Sequence, residues 1–460
     1  MNAPAAAWFQ HQLDERAEPD AVTYSGAGAL PSAFAVTDLA AGSIAAACGA
    51  VQRLVAALGG GHRSVVVDRR LASWWFAWTL RPDGWSVPPA WDPIAGDYPT
   101  RDGWIRLHTN APHHRRAALA VLGVTTDRET DRDVVAAAVS SWDATELERA
   151  VVDAGGCAAE MRSTEQWASH EHGGAVALEP LLHRHVGGPA RRPLPPPSPA
   201  RPLAGVRVLD LTRVLAGPVA TRFLAALGAD VVRIDPPEWD EPGVVPEVTL
   251  GKRCYRVDLR APDGATELRD LLAGADILVH GYRPGALAHL GLTDGSRAAI
   301  NPGLIDVSLS AYGSTGPWAS RRGFDSLMQM SGGIAHAGMV TFGADRPTPL
   351  PVQALDHATG YLLAMAAIDG WTDRVTSGAG TIARASLART ATLLMQGPAG
   401  DPTASIAPAG PADEQPTPEE TSWGPAHRLM PPATIDGVAL TWPHGARALG
   451  ADTGRPSWRQ

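Results

Sequence analysis

An aspartate at the entry to a long apolar helix is the plainest candidate for covalent chemistry in this sequence. In PLPVQALDHATGYLLAMAAIDG, Asp356 stands where a strand-like or loop segment passes into a helical pattern. Its carboxylate is therefore placed to accept from first-turn amides and to be held ionised by the positive end of the helix. An ionised, positioned oxygen is what a carboxylate nucleophile needs beside an electrophilic carbonyl. A plain N-cap aspartate carries the same pattern, and spacing alone does not choose between the two. The arrangement recurs: aligning residue n with n+318 puts Asp38 on Asp356, Ala40 on Ala358, Gly42 on Gly360 and Ala46 on Ala364, each at the start of an Ala-rich helix.

Three basic, glycine-punctuated segments come next: Lys252-Arg253 ahead of CYRVDL, Tyr282-Arg283-Pro284-Gly285 after DILVH, and Arg321-Arg322-Gly323 after SAYGSTGPW. Loops that follow the carboxyl ends of parallel strands converge on one rim, where ligands bind. Cations and an aromatic ring there suit a ligand with phosphates and a flat base; scattered surface charge is the alternative. The histidine pairs His113 and His114, His170 and His172, and His183 and His185 lack the further ligands a metal site needs, and read as solvated surface groups. Asp235 ends a strand without a glycine fingerprint before it, since Gly217-Pro218 cannot close on a pyrophosphate. No GxSxG, HExxH or GxxxxGK[ST] occurs.

The elements that must position these residues fall into two halves. The 460 residues leave room for two or three domains, and with 45% hydrophobic and 19% charged residues the composition is globular. A net charge of -9 argues against an electrostatic grip on nucleic acid. Three scattered cysteines, Cys48, Cys157 and Cys254, indicate neither a disulfide framework nor a thiolate metal site. With no signal-like amino terminus and no uninterrupted apolar run of membrane-spanning length, the expectation is a soluble, cytoplasmic protein away from membranes. Seven prolines in residues 187–204 mark a linker. Before it, residues 1–186 read as α+β, with an Ala-rich helix over 39–58, a strand over 102–109 and a helix over 145–154 opened by a Thr145-x-x-Glu148 capping box. After it, VRVLDL, ADVVRID, DILVHGY and LIDVSLS alternate with helical stretches over residues 205–395. That predicts βαβ units and an α/β, Rossmann-like parallel sheet with helices on both faces. Residues 396–460 form a Pro/Ala-rich C-terminal arm, expected to be poorly ordered from about 398 to 425.

RVLDLTRVLAGPVATRFLAALGADVVRID, GKRCYRVDLRAPDG, ADILVHGYRPGALAHLGL, NPGLIDVSLSAYGSTGPW, RRGFDSLMQMSGG and ALDHATGYLLAMAA occur in order, and together they resemble the family III CoA-transferases, which include formyl-CoA transferase and alpha-methylacyl-CoA racemase. Residues 91–186 resemble that family's smaller domain, which here precedes the large one. The chain thus resembles the back of one family unit joined to the front of a second, and the resemblance implies an interlocked homodimer.

On that resemblance Asp356 falls on the family's nucleophile. Its carboxylate attacks an acyl-CoA thioester to give a mixed anhydride and CoA thiolate, and the thiolate returns to form aspartyl-CoA. A second carboxylic acid then takes over the acyl position and leaves as the new thioester. CoA is substrate, with no permanently bound cofactor or metal. Arg322 corresponds to a basic residue near the CoA chain and Asp325 to an acid near the active centre. Lys252, Arg253, Tyr282, Arg283, Pro284 and Gly285 correspond to segments that cradle the nucleotide, and Arg213, Leu215 and Ala216 to the turn lining the thiol end. Departures are Gly251 for a frequent Asn, His280-Gly281 for Glu-Asn, and Phe324 for the racemases' catalytic His. Phenylalanine moves no proton, which disfavours the alternative of an acyl-CoA racemase or isomerase. A non-catalytic CoA-binding subunit is the third reading, and Asp38 marks a second or vestigial site.

Overall fold

In the computed structural model, which describes residues 3–18, 21–125, 131–283 and 285–459, strands fall where the apolar runs place them. The first part of the chain supplies β1 (Val22–Ser25), β2 (Val65–Asp68), β3 (Leu80–Pro82), β4 (Gly96–Pro99), β5 (Trp104–Leu107) and β6 (Ala158–Glu160). β7 (Leu182–Pro189) precedes β8 (Arg207–Leu211), β9 (Asp230–Asp235), β10 (Arg253–Arg256), β11 (Ile277–His280), β12 (Ile305–Ser310) and β13 (Ala379–Ser386). β14 (Glu419–Thr421), β15 (Gly424–Arg428) and β16 (Ala433–Ile435) come last.

Seven strands form one sheet in the order β10-β9-β8-β11-β12-β13-β7, parallel throughout except for the antiparallel edge pair β13 and β7. Alternate side chains face opposite layers. Val208, Val231, Ile277 and Val307 pack with the helices Ala216–Ala226 and Ala354–Ser377; Leu209, Val232, Ile234 and Leu278 pack with Leu268, Leu271 and Leu272 of the helix Pro262–Gly274. Helices thus cover both faces, the α/β architecture expected. The strand order reverses between β8 and β11, and the crevice beyond their carboxyl ends is where such sheets bind ligands. A smaller α+β unit holds the antiparallel sheet β4-β5-β6 under helices carrying Leu119, Val135, Val139, Leu147 and Val151, around its own core of Ile94, Tyr98, Ile105 and Leu107.

Three expectations change. Residues 182–189 cross the boundary drawn at 186: β7 runs into the proline-rich segment and completes the large sheet. The rest of that segment is pinned, with Arg192 bound to Asp276 and Arg201 to the carbonyls of Ala226, Ala439 and Thr441. The C-terminal residues are not a loose arm either. β14 and β15 form a sheet with β3, and β16 pairs antiparallel with β2. Finally, the helix expected over 145–154 begins at Ala144 without a side-chain cap. Glu148 is drawn instead into ion pairs with Arg162 and Arg321.

The sheet β1-β2-β16 has a parallel neighbour on one side of β2 and an antiparallel one on the other, as β13 has in β12 and β7. The helices before β2 and β13, Val36–Ala57 and Ala354–Ser377, pack against each other in one core. Each half's closing strand arrives from the other: the chain that leaves β2 runs on to β7, and the chain that leaves β13 runs on to β16. Val36–Ala57 is long and apolar enough to cross a membrane by composition, but 83% of that stretch is buried inside the protein.

Candidate active site

Asp356 is the third residue of the helix Ala354–Ser377, whose N-cap is Gln353, so it is not the N-cap aspartate that the sequence also allowed. The cap comes from elsewhere. Asp325, fully buried at the start of the helix Asp325–Ser331, accepts the Asp356 amide on Oδ2 at 2.9 Å, and its other oxygen accepts from the side-chain amide of Gln329. Gln329 Oε1 in turn accepts the Leu350 amide at 2.7 Å, tying the approach loop to the same network. The Asp356 side chain is 8% exposed. Burial first, and the neighbouring Asp325 second, push its carboxyl well above the usual carboxylate range. Burial likewise raises Asp325, to about 6, against the hydrogen bonds from Gln329 and Asp356. The helix end does not hold Asp356 ionised as expected, because desolvation and the second carboxyl outweigh the dipole.

Gly360 lies one turn beyond Asp356 on the same helix face. A Cβ there would stand 2.5 Å from the Ala216 carbonyl oxygen, so glycine is what lets this helix close on the β8 turn. The helix that carries Asp356 thus packs against Ala216, in the turn expected to line a thiol end. Val214 in that turn has φ +63°, the only non-glycine residue in the left-handed region among the described residues. For a β-branched residue this is a strained conformation, and its amide is held by Glu241 at 2.9 Å. Val214 carries no signal in the sequence.

Arg213 stacks its guanidinium over Trp239 at 4.5 Å and Tyr282 at 5.1 Å, bridging the β8 and β11 loops at the reversal of strand order. Arg322 donates from Nη1 to the Gly155 carbonyl at 3.0 Å. Besides partial burial, Arg322 and Arg213 both depress His113, which the sequence had not assigned to the site. Arg283 and Gly285 are exposed where the β11 loop leaves the sheet, and Pro284 lies outside the described residues. With Tyr282 they line a cavity of about 660 Å³ over the carboxyl ends of β11, β12 and β13; Asp356 is not among its lining residues. Tyr282 joins the two, touching Arg213 on one side and the cavity on the other.

Lys252 and Arg253 do not join them. Lys252 is fully enclosed, its ammonium donating to Asp210 at 2.9 Å and the Pro218 carbonyl at 3.0 Å; burial lowers it to about 8. It braces β8 against the following helix instead of meeting a phosphate. Arg253 is bound to Asp230 at 2.9 and 2.7 Å and to the Ser457 carbonyl. Arg321, also read as a rim cation, is committed to Glu148 and stacked on Trp318 at 4.2 Å. Two of the six histidines depart from the expected surface placement: His172 is buried, bonded through Nε2 to the Tyr312 carbonyl at 2.7 Å, and buried His114 approaches Cys157 at 3.5 Å, whereas His113 and His185 are exposed. Among the described residues no group of three or more His, Cys, Asp and Glu side chains could hold a metal. At Phe324 the ring of buried His108 stacks at 3.7 Å.

Asp38 occupies the equivalent third position of Val36–Ala57 but is bound by Arg69, at 3.1 and 2.7 Å. Leu387 stands 318 residues after Arg69.

Residues 203–428 match the family described as CoA-transferase family III. An acyl-CoA transferase of Gibberella moniliformis is 29% identical over 315 residues, 63% of this chain and 54% of that protein. Succinyl-CoA:glutarate CoA-transferase of Mus musculus is 36% identical over 194 residues, 39% of this chain and 44% of its own. A solved CAIB/BAIF family protein from Brucella suis is 28% identical, with a TM-score of 0.38, over 49% of this chain and 65% of that one. The chain spans about half the length of the curated relatives it matches. Asp356, Asp325 and both crevice loops fall inside the residues that match CoA-transferase family III.

Proposed function

We propose that this protein moves CoA between carboxylic acids through a thioester on Asp356. The observation that supports the reading is a buried carboxyl, raised by burial and by Asp325, on a helix that packs against the strained turn after β8, with no ion pair to it among the described residues. Once ionised, such an oxygen is poorly solvated and strongly nucleophilic. It attacks the thioester carbonyl, expelling CoA thiolate. The thiolate attacks the aspartyl carbonyl of the anhydride, releasing the first acid. The second acid attacks aspartyl-CoA, and the thiolate finally attacks the new acyl carbonyl and frees Asp356. Asp325 positions the helix end through the Asp356 amide, and Arg213 and Arg322 offer charge to the CoA moiety. No step is routed through a metal or a resident cofactor. Three unpaired, buried cysteines agree with a reducing, cytoplasmic setting.

Incubation with an acyl-CoA followed by hydroxylamine or borohydride trapping tests the reading. Modification is expected on the peptide containing Asp356. Exchange of the α-hydrogen of the acyl group without any modification there would replace transfer by racemisation.

A further inference from the structure

Gln329 lies behind the two carboxyls and takes part in no step above. It is wholly enclosed in the helix Asp325–Ser331, and its Oε1 accepts the Leu350 amide at 2.7 Å. A backbone amide only donates, so the orientation of the side chain is fixed: Nε2 must point the other way, and there it donates to Asp325 Oδ1. The opposite Asp325 oxygen accepts the Asp356 amide at 2.9 Å. Each Asp325 oxygen thus faces an N–H that cannot take up a proton, and hydrogen bonds of this kind favour the ionised carboxylate. Arg106 of β5 acts in the same direction. Burial and Asp325 itself both favour the neutral form of Asp356. Of the titratable groups on the elements packed against this helix, Glu160 of β6 is bound by Arg162, and His357 stacks on Phe76 at 5.0 Å. His336 of Ile334–Phe342 and Arg389 of Leu387–Gln396 stand on the remaining neighbours.

Resting on the function proposed above, we infer that Gln329 is a positioning residue for the nucleophile: by holding Asp325 as the ionised member, it leaves the one proton that the pair retains on Asp356. Two carboxyls that act on each other titrate as a unit, and the amide decides which of them the first ionisation empties. Without it Asp325 competes for the proton, and part of the singly protonated protein carries an ionised Asp356. The Leu350 bond extends this control outward, because the loop leading into the helix that carries Asp356 sets the direction of the amide.

Initial rates of acyl exchange by the full chain, measured across pH and acyl-CoA concentration, test this. In Gln329→Met, close in volume but without donor or acceptor, the rising limb of kcat is expected to move to lower pH by about half a unit or more. The plateau falls, while KM changes by less than about threefold, because the enclosed side chain has no surface toward a ligand. Gln329→Asn, too short to hold the Leu350 amide and Asp325 together, moves the limb the same way and keeps the test valid where Met fails to fold. Gln329→Glu retains an acceptor for Leu350 and, when protonated, a donor for Asp325, so its limb stays in place or rises. A limb that stays put or rises in the Met or Asn variant, or that falls in the Glu variant, overturns the assignment; hydroxylamine labelling at Asp356 in the unaltered protein then leaves the transfer reading standing. Absence of both labelling and transfer in the unaltered protein overturns both.

Discussion

Asp38 and Asp356 are the same residue type at the same helical position, each followed four residues later by a glycine that admits a second helix, yet only Asp38 has an ion pair among the described residues. At Gly360 the helix that closes in is Ala216–Ala226, which follows β8 and brings the crevice turn with it; at Gly42 it is Pro4–Leu13, where a Cβ would stand 2.7 Å from the Ala6 carbonyl. Arg69, first residue of the helix after β2, pairs with Asp38, whereas the first residue of the helix after β13 is Leu387. On the function proposed above, what separates the two aspartates is the crevice turn that the second helix brings to one and the arginine that pairs with the other.

The largest expected effect in this comparison comes from the two aspartates themselves. Asp356→Asn should lower transfer by on the order of 10⁴ or more, as removal of a covalent nucleophile does, whereas Asp38→Asn should change it by less than about threefold. Comparable losses in both, measured as initial rates of acyl exchange, would break the asymmetry.

The pair Asp325 and Asp356 sets a pH limb. The nucleophile is the ionised form, so the rate should rise with pH as the pair loses its proton. Asp325→Asn removes the like charge that raises Asp356 and should move that limb to lower pH. A limb that stays put would assign the ionisation to another group.

Stability should run the opposite way. Asp325 holds its proton up to about 6 in the folded protein against 3.8 as the ordinary value. The folded chain therefore binds more protons than the unfolded one between these pH values, and stability is lost as pH rises through the window. Each unit is worth ~1.4 kcal/mol at full burial, so Asp356→Asn, which relieves the repulsion, should stabilise the protein by on the order of 1–2 kcal/mol at pH 8. Denaturant unfolding at pH 5 and pH 8 reads this directly. The smallest effect belongs to Arg69→Leu. It leaves Asp38 without its partner at a partly exposed site and should cost only about 1 kcal/mol, with no new acyl labelling at Asp38.

The parallel strands were legible because β8, β9, β11 and β12 are short continuous apolar runs, and Asp356 because a resemblance singled it out from ordinary helix-end aspartates. Lys252 was misread for a nonlocal reason: its partner Asp210 lies 42 residues away, and nothing beside a lysine in sequence tells a phosphate from a buried carboxylate. β7 and β16 escaped notice because LHRHVGGP and ATI are not apolar alternating strands, and their partners lie across half the chain. Val214 shows the same limit at one residue. Its φ is imposed by the turn against valine's own preference.

The exchange of closing strands also governs how the chain comes off the ribosome. β2 is complete after residue 68, but its antiparallel neighbour is not made until residue 435, so one edge of that sheet stays open through most of synthesis. Pairings this distant in sequence form slowly, and an uncovered edge is a template for association between chains. A nascent chain stopped after β13 would hold the whole helix that carries Asp356 and still lack the strand that closes its own first sheet.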